Sequence, residues 1–128
     1  MPRWVYISFA FLALALAGCA KRAPVNPSEW IGYQEAGEAS YYAMKYQNRK
    51  TASGERLDQG SSTAAHRKLP FGTMVKVTNI TNSKSVTVRI NDRGPFVKGR
   101  VIDLTRSAFK RIGDLDSGVV SVKIEVVR

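Results

Sequence analysis

Arg89-Ile90-Asn91-Asp92-Arg93-Gly94-Pro95-Phe96-Val97-Lys98-Gly99-Arg100-Val101-Ile102-Asp103-Leu104 reads as strand, break, strand. Gly94-Pro95 interrupts the first run, and Val101-Ile102 resumes the apolar pattern. An aspartate closes each run. Two strand-end carboxylates, with Arg89, Arg93, Lys98 and Arg100 around them, are unusual company for a simple turn.

Upstream, Val75 and Val77 alternate with Lys76 and Thr78, and Val86, Val88 and Ile90 alternate with Thr87, Arg89 and Asn91. Thr81-Asn82-Ser83-Lys84 lies between them, so the two runs predict an antiparallel hairpin. Downstream, Leu104, Ala108 and Ile112 recur at helical spacing, with Asp103 or Thr105 as cap and Gly113 as stop. The segment from Val119 to Val127 alternates again, with Val120, Val122, Ile124 and Val126 on one face. Leu69-Pro70-Phe71-Gly72 is a turn, and Ser62 to His66 fits either a strand or a helical turn.

Further back, Glu38-Ala39-Ser40-Tyr41-Tyr42 reads as a first strand. Residues Ala43 to Gly60 are polar and glycine-punctuated, which predicts a long loop of the kind that carries function. About six short strands with long loops and one or two short helices suggest a small β-barrel, which leaves no open sheet edge.

The N-terminus has a different character. Met1-Pro2-Arg3 is a short basic start, and Trp4 to Ala17 is almost wholly apolar but short for a membrane span. Leu16-Ala17-Gly18-Cys19 ends it and resembles the lipobox of bacterial lipoproteins, which are cut before the cysteine that then carries lipid. Cys19 is the single cysteine of the 128 residues, so no intramolecular disulfide is possible. The expected organisation is a signal peptide over 1–18, a lipidated tether over 19–36, and a folded domain over 37–128. Ala20 after the cysteine, where inner-membrane sorting would have Asp, favours the outer membrane.

A formal net charge of +10 calls for an acidic partner. For an exported lipoprotein the partners at hand are anionic lipid and cell-wall polymer, and nucleic acid is not expected.

The inventory of reactive groups is short. One His, one Cys committed to lipid, and no HExxH, CxxC or phosphate-binding loop disfavour zinc chemistry and cysteine or serine nucleophiles. No metal and no cofactor are called for. Carboxylate chemistry remains, through Glu55, Asp92 and Asp103, with His66 as helper. Each alone has a plain structural explanation: a solvated loop acid for Glu55, a turn starter for Asp92, a helix cap for Asp103, a core histidine for His66. Together they suit polysaccharide cleavage, in which a carboxylic acid protonates the bridging oxygen and nearby groups stabilise an oxocarbenium ion. Tyr41, Tyr42, Tyr46 and Phe96 offer stacking faces for sugars, or core.

Several blocks resemble the rare lipoprotein A (RlpA) family in the family's order. They are Gly37-Glu38-Ala39-Ser40-Tyr41-Tyr42, Lys50-Thr51-Ala52-Ser53-Gly54-Glu55, Thr63-Ala64-Ala65-His66, Leu69-Pro70-Phe71-Gly72-Thr73, Val77-Thr78-Asn79, Asn91-Asp92-Arg93-Gly94-Pro95-Phe96 and Gly99-Arg100-Val101-Ile102-Asp103-Leu104. The resemblance runs from about Gly37 to Val127.

It implies a mainly β fold, a six-stranded double-psi β-barrel of the expansin and barwin type. It also implies an outer-membrane lipoprotein, anchored by lipid on Cys19 and facing the periplasm, that acts on peptidoglycan; a monomer is expected. Active members are endolytic lytic transglycosylases that prefer glycan strands stripped of stem peptides and leave 1,6-anhydro-MurNAc. Residue by residue, Glu55, His66 and Asp92 match positions associated with activity, and Asp103 matches an aspartate important in the expansin barrels. Asp92 is the first choice as acid/base and Asp103 the second. Ser40 matches a small hydroxyl residue at the groove. Tyr42, Thr51, Arg93 and Phe96 complete the expected substrate contacts.

The sequence departs from the family at Tyr46-Gln47-Asn48, at Ala43 and at Ser53, all beside the expected groove. No C-terminal peptidoglycan-binding repeat follows the last strand, so septal targeting by that means is not expected. The alternative to an enzyme is an expansin-like module that grips glycan without cutting it. A third option is a structural wall lipoprotein held by charge.

Overall fold

The computed structural model describes residues 26–128, so the expected signal peptide and Cys19 lie outside the described residues. Six strands close into a barrel: β1 (Gln34–Tyr41), β2 (Thr63–Ala65), β3 (Met74–Asn79), β4 (Ser85–Asp92), β5 (Arg100–Leu104) and β6 (Val120–Val126). Their order around the barrel is β1-β5-β2-β4-β3-β6. Two of the pairings are parallel, β1 with β5 and β2 with β4, and the rest are antiparallel. This is the expected double-psi β-barrel.

The alternating runs face as their periodicity requires. Val75, Val77, Val88, Ile90, Val122, Ile124 and Val126 are buried inside, and Lys76, Thr87 and Lys123 point out. Ile102 and Leu104 from β5 join them, with Phe109 and Ile112 closing one end. Each such side chain contributes about 1.5–3 kcal/mol by leaving water. The β3–β4 hairpin forms as predicted, with Asn79 N–H bound to the Lys84 carbonyl at 2.8 Å.

Three expectations are corrected. The barrel begins before Gly37: β1 starts at Gln34, which pairs with Glu125 of β6. Ahead of it, Gly32 N–H donates to the Val126 carbonyl, and Trp30 packs on the core. The second half of the expected tether is therefore part of the domain. Gln34 to Gly37 has no apolar period of its own, and its strand is imposed by pairing with β6; β5 joins β1 only from Glu38 on. Gly37 is required there, because a Cβ would lie 2.5 Å from Val101 Cγ1 and 3.0 Å from the Gly99 carbonyl.

The helix is short, α1 (Arg106–Lys110), and Asp103 does not cap it. Thr105 holds the N-cap position, but its hydroxyl donates to the Ser61 carbonyl instead of the helix. Asp103 lies within β5.

The loop from Ala43 to Gly60 is also more ordered than its composition suggests. A 3-10 turn (Met44–Tyr46) opens it, Lys50 bridges Arg56 across an antiparallel pair, and Leu57 is buried beneath. Within residues 62–66, Thr63–Ala65 form a strand, β2.

Candidate functional site

Barrel register builds the site. Ser40 on β1 pairs with Asp103 on β5, Asp103 pairs with Ala65 on β2, and Ala65 pairs with Asp92 on β4. The four residues form one rung, with the two aspartates either side of an alanine. Two strand spacings separate their backbones, roughly 9–10 Å. A larger residue at position 65 would stand between them.

A groove of about 370 Å³ opens over this rung, lined by Tyr42, Tyr46, Arg49, Lys50, Thr51, Leu57, Asp92 and Asp103. The long loop forms its far wall. Asn48 N–H binds the Leu57 carbonyl at 2.8 Å and Leu57 N–H binds the Arg49 carbonyl at 2.7 Å. Ser53 N–H reaches the Asn91 carbonyl, so the loop tip is fastened to the end of β4.

The two aspartates have different surroundings. Asp92 Oδ2 accepts from the Tyr42 hydroxyl at 2.7 Å, and Oδ1 accepts from the backbone N–H of Ala52 and of Arg93, each at 2.9 Å. Tyr42 is pushed well above the ordinary phenol range by burial first, then by its bond to Asp92. Its hydroxyl therefore stays protonated as a donor. Asp103 accepts from the Ser40 hydroxyl. Burial raises the Asp103 pKa, Ser40 and Arg100 partly oppose the rise, and the charge of Asp92 adds to it. One rung thus holds a carboxylate occupied by three donors and a carboxyl biased toward its protonated form.

The structure brings Ser40, Tyr42, Thr51, Asp92 and Asp103 together. It places Glu55, His66, Arg93 and Phe96 away from the groove lining. Glu55 forms a two-pronged ion pair with Arg89 on the outside of the loop, and that guanidinium lowers its pKa. His66 is buried behind β4. Its Nδ1 accepts from Lys68 and Leu69 N–H at 3.0 and 3.1 Å, and its Nε2 lies 3.0 Å from Glu35 Oε2. That pattern fixes the neutral ring with the proton on Nε2. Burial lowers the His66 pKa, with Glu35 opposing. His66 bears on the site through its backbone, whose N–H donates to the Asp92 carbonyl.

Arg93 turns inward. Its Nη1 donates to the carbonyls of His66 and Leu69, and its guanidinium lies 4.1 Å over the Phe71 ring. It holds the turn after β2 and is not directed at a ligand. Phe96 is 80% exposed on the loop between β4 and β5.

Arg49 and Lys50 are groove residues that sequence reasoning did not single out as contacts. Their signal was a basic pair inside a long loop, with Lys50 opening one of the family-like blocks. Among the described residues no group of His, Cys, Asp and Glu is arranged to hold a metal ion.

Comparison with known proteins places this geometry in context. Residues 34–124 match the model of the family described as Lytic transglycolase. A protein of Synechocystis named probable endolytic peptidoglycan transglycosylase RlpA is 55% identical over 94 residues, 73% of this chain and 29% of that one. The endolytic peptidoglycan transglycosylase RlpA of Pasteurella multocida is 52% identical over 100 residues, 78% of this chain and 34% of that one. The chain therefore spans about a third of the length of these relatives. Among solved structures, the papain inhibitor of Streptomyces superposes with a TM-score of 0.64 at 26% identity, covering 77% of this chain and 97% of that one. With the model matched from the first strand to the last, the chain belongs to the Lytic transglycolase family.

Proposed function

We propose that this chain is an endolytic lytic transglycosylase that cleaves the MurNAc–GlcNAc bonds of peptidoglycan, with preference for strands free of stem peptides. The observation that carries the reading is the pair of unlike aspartates on one rung of an open groove. The names of the relatives support it independently.

The chemistry requires one carboxyl to act twice. As an acid it protonates the glycosidic oxygen while the C1–O bond breaks. As a base it then takes the proton of the MurNAc C6 hydroxyl as O6 bonds to C1. The product is a 1,6-anhydro end, and no water is consumed. The sequence puts Asp92 first for this role. The geometry favours Asp103, which is half-buried, held by a single hydroxyl and biased toward the protonated form. Asp92, with both oxygens engaged by donors, is placed to stabilise positive charge at C1. Tyr42 and Tyr46 offer faces to the sugar rings.

The lipobox-like Leu16-Ala17-Gly18-Cys19 supports a lipid-anchored protein at the outer membrane, acting from the periplasmic side on the adjacent wall. Incubation with amidase-treated peptidoglycan and mass spectrometry of the products tests the function. Anhydro-MurNAc ends are expected. Binding to sacculi without any cleavage would leave the expansin-like module as the correct reading. Reducing ends lacking the anhydro ring would indicate a hydrolase.

A further inference from the structure

The groove carries two cations that form no ion pair among the described residues. Among the described residues the ion pairs are His66 with Glu35 and Arg89 with Glu55. Arg49 and Lys50 take part in neither, yet both line the groove beside Asp92 and Asp103. Neither aspartate is drawn to them, since Asp92 is occupied by Tyr42, Ala52 and Arg93, and Asp103 by Ser40.

Their backbone is fixed. Leu57 N–H holds the Arg49 carbonyl, Lys50 bridges Arg56, and Arg56 itself donates to the Asn48 carbonyl at 2.9 Å. The Arg49 guanidinium lies 5.2 Å over the Tyr46 ring, a stack that engages its face and leaves its edge N–H groups for a planar anion. A pinned loop of this kind binds with little ordering cost.

A neutral glycan offers hydroxyls and acetamides, which do not need two unpaired cations. We infer that Arg49 and Lys50 form a subsite for a carboxylate carried on the sugar itself, the lactyl carboxylate of MurNAc. This rests on the reading that a peptidoglycan strand occupies the groove, and it deepens that reading. The lactyl group is an anion only when the stem peptide is gone; with the peptide attached it is an amide. One contact then serves both to seat the sugar and to select stripped strands.

The test uses binding and not turnover, so it is separate from the test of cleavage. The chain carrying Asp103→Asn holds strands uncut and is titrated by calorimetry with amidase-stripped glycan. A second titration uses the same strands with their lactyl carboxylates converted to methylamides. Amidation is expected to weaken binding about tenfold, the scale of one charge-assisted hydrogen bond. Adding Arg49→Gln and Lys50→Gln is expected to cause a similar loss on stripped glycan. On the amidated strands, chains with and without those two changes should bind alike. Equal affinity for the two glycans would overturn the inference. So would an equal loss on both glycans in the Arg49→Gln, Lys50→Gln chain, or no binding of stripped glycan at all. A chain that distinguishes the glycans but, with Asp103 intact, yields no anhydro product keeps the subsite and loses the proposed activity.

Discussion

Asp92 and Asp103 flank Ala65 on a single rung of the barrel, and Ser40 stands on the outer side of Asp103. Strands far apart in sequence are brought edge to edge by the parallel crossings of β1 with β5 and β2 with β4. The arrangement makes the two carboxyl groups electrostatic neighbours without placing them in one hydrogen bond. Burial is the first cause of the raised Asp103 pKa, and the charge of Asp92 adds to it.

The first prediction concerns Asp103. A carboxyl with a folded-state pKa above its unfolded value binds more protons when folded. Its contribution to stability is therefore full below the unfolded value and falls as pH rises through the folded one. Asp103→Asn removes that cost, so the variant is expected to melt higher than the wild type at pH 7. The gain should vanish below about pH 4, where an unfolded carboxyl is itself protonated. Turnover should fall by about 10²–10⁴-fold in the same variant. Thermal melts across pH, paired with product release, check both halves. A lower melting temperature at pH 7 would contradict the assignment.

The second concerns Tyr42, whose hydroxyl is one of three donors to Asp92. Tyr42→Phe keeps the ring in the groove wall and removes only that donor. A loss of about 0.5–1.5 kcal/mol in stability is expected. Removing a donor from Asp92 should also weaken its stabilisation of charge at C1. The expected signature is a fall in kcat of about tenfold with KM little changed, measured on stripped glycan. A change confined to KM would make Tyr42 a binding surface only.

The third concerns Glu55 and Arg89. The pair is exposed, so its direct worth is small, about 0.2–1 kcal/mol. Its position matters more, because Glu55 closes the turn whose Ala52 N–H reaches Asp92. Glu55→Gln is expected to slow cleavage. The same substitution made in an Arg89→Gln background should add little further loss. A double-mutant cycle in kcat/KM measures the coupling, and independent, additive losses would place Glu55 in direct contact with substrate instead.

Much of the fold was legible where burial is one-sided. Half-buried strands such as β3, β4 and β6 carry an apolar period of two, and Val75, Val88 and Ile124 announce their own side. The start of β1 carried no such signal, since Gln34 to Gly37 take their conformation from β6. Asp103 looked locally like a cap because Leu104, Ala108 and Ile112 follow at helical spacing. Its actual partner, Ser40, is 63 positions away. Locally encoded features were readable, whereas the groove wall was not, because Arg49 and Lys50 face the site only through a loop fastened to Asn91. The role of His66 was hidden for the same reason, its partner Glu35 lying 31 positions upstream.

His66 yields the last prediction. Its Nδ1 accepts two backbone N–H groups, so protonation there would set an N–H against two donors and break the turn at Lys68 and Leu69. That turn supplies the carbonyls that hold Arg93, the residue next to Asp92. A histidine whose folded pKa is depressed gives stability that is complete above its unfolded value near 6.5 and is lost as pH falls through the folded one. The melting temperature of the wild type is therefore expected to decline as pH drops from about 6.5 toward 5, a window in which ordinary carboxyls have yet to titrate. His66→Gln cannot gain that proton. It should melt lower than the wild type at pH 7.5, by about 1–3 kcal/mol for the backbone donors it leaves unmet. In an Asp103→Asn background, which removes the other shifted group, its melting temperature should then be nearly flat over the same window. A slope identical to that of the wild type would show that His66 does not titrate there. Activity measured well below both melting temperatures separates support from chemistry, since a ring outside the groove should leave kcat within about tenfold while stability falls.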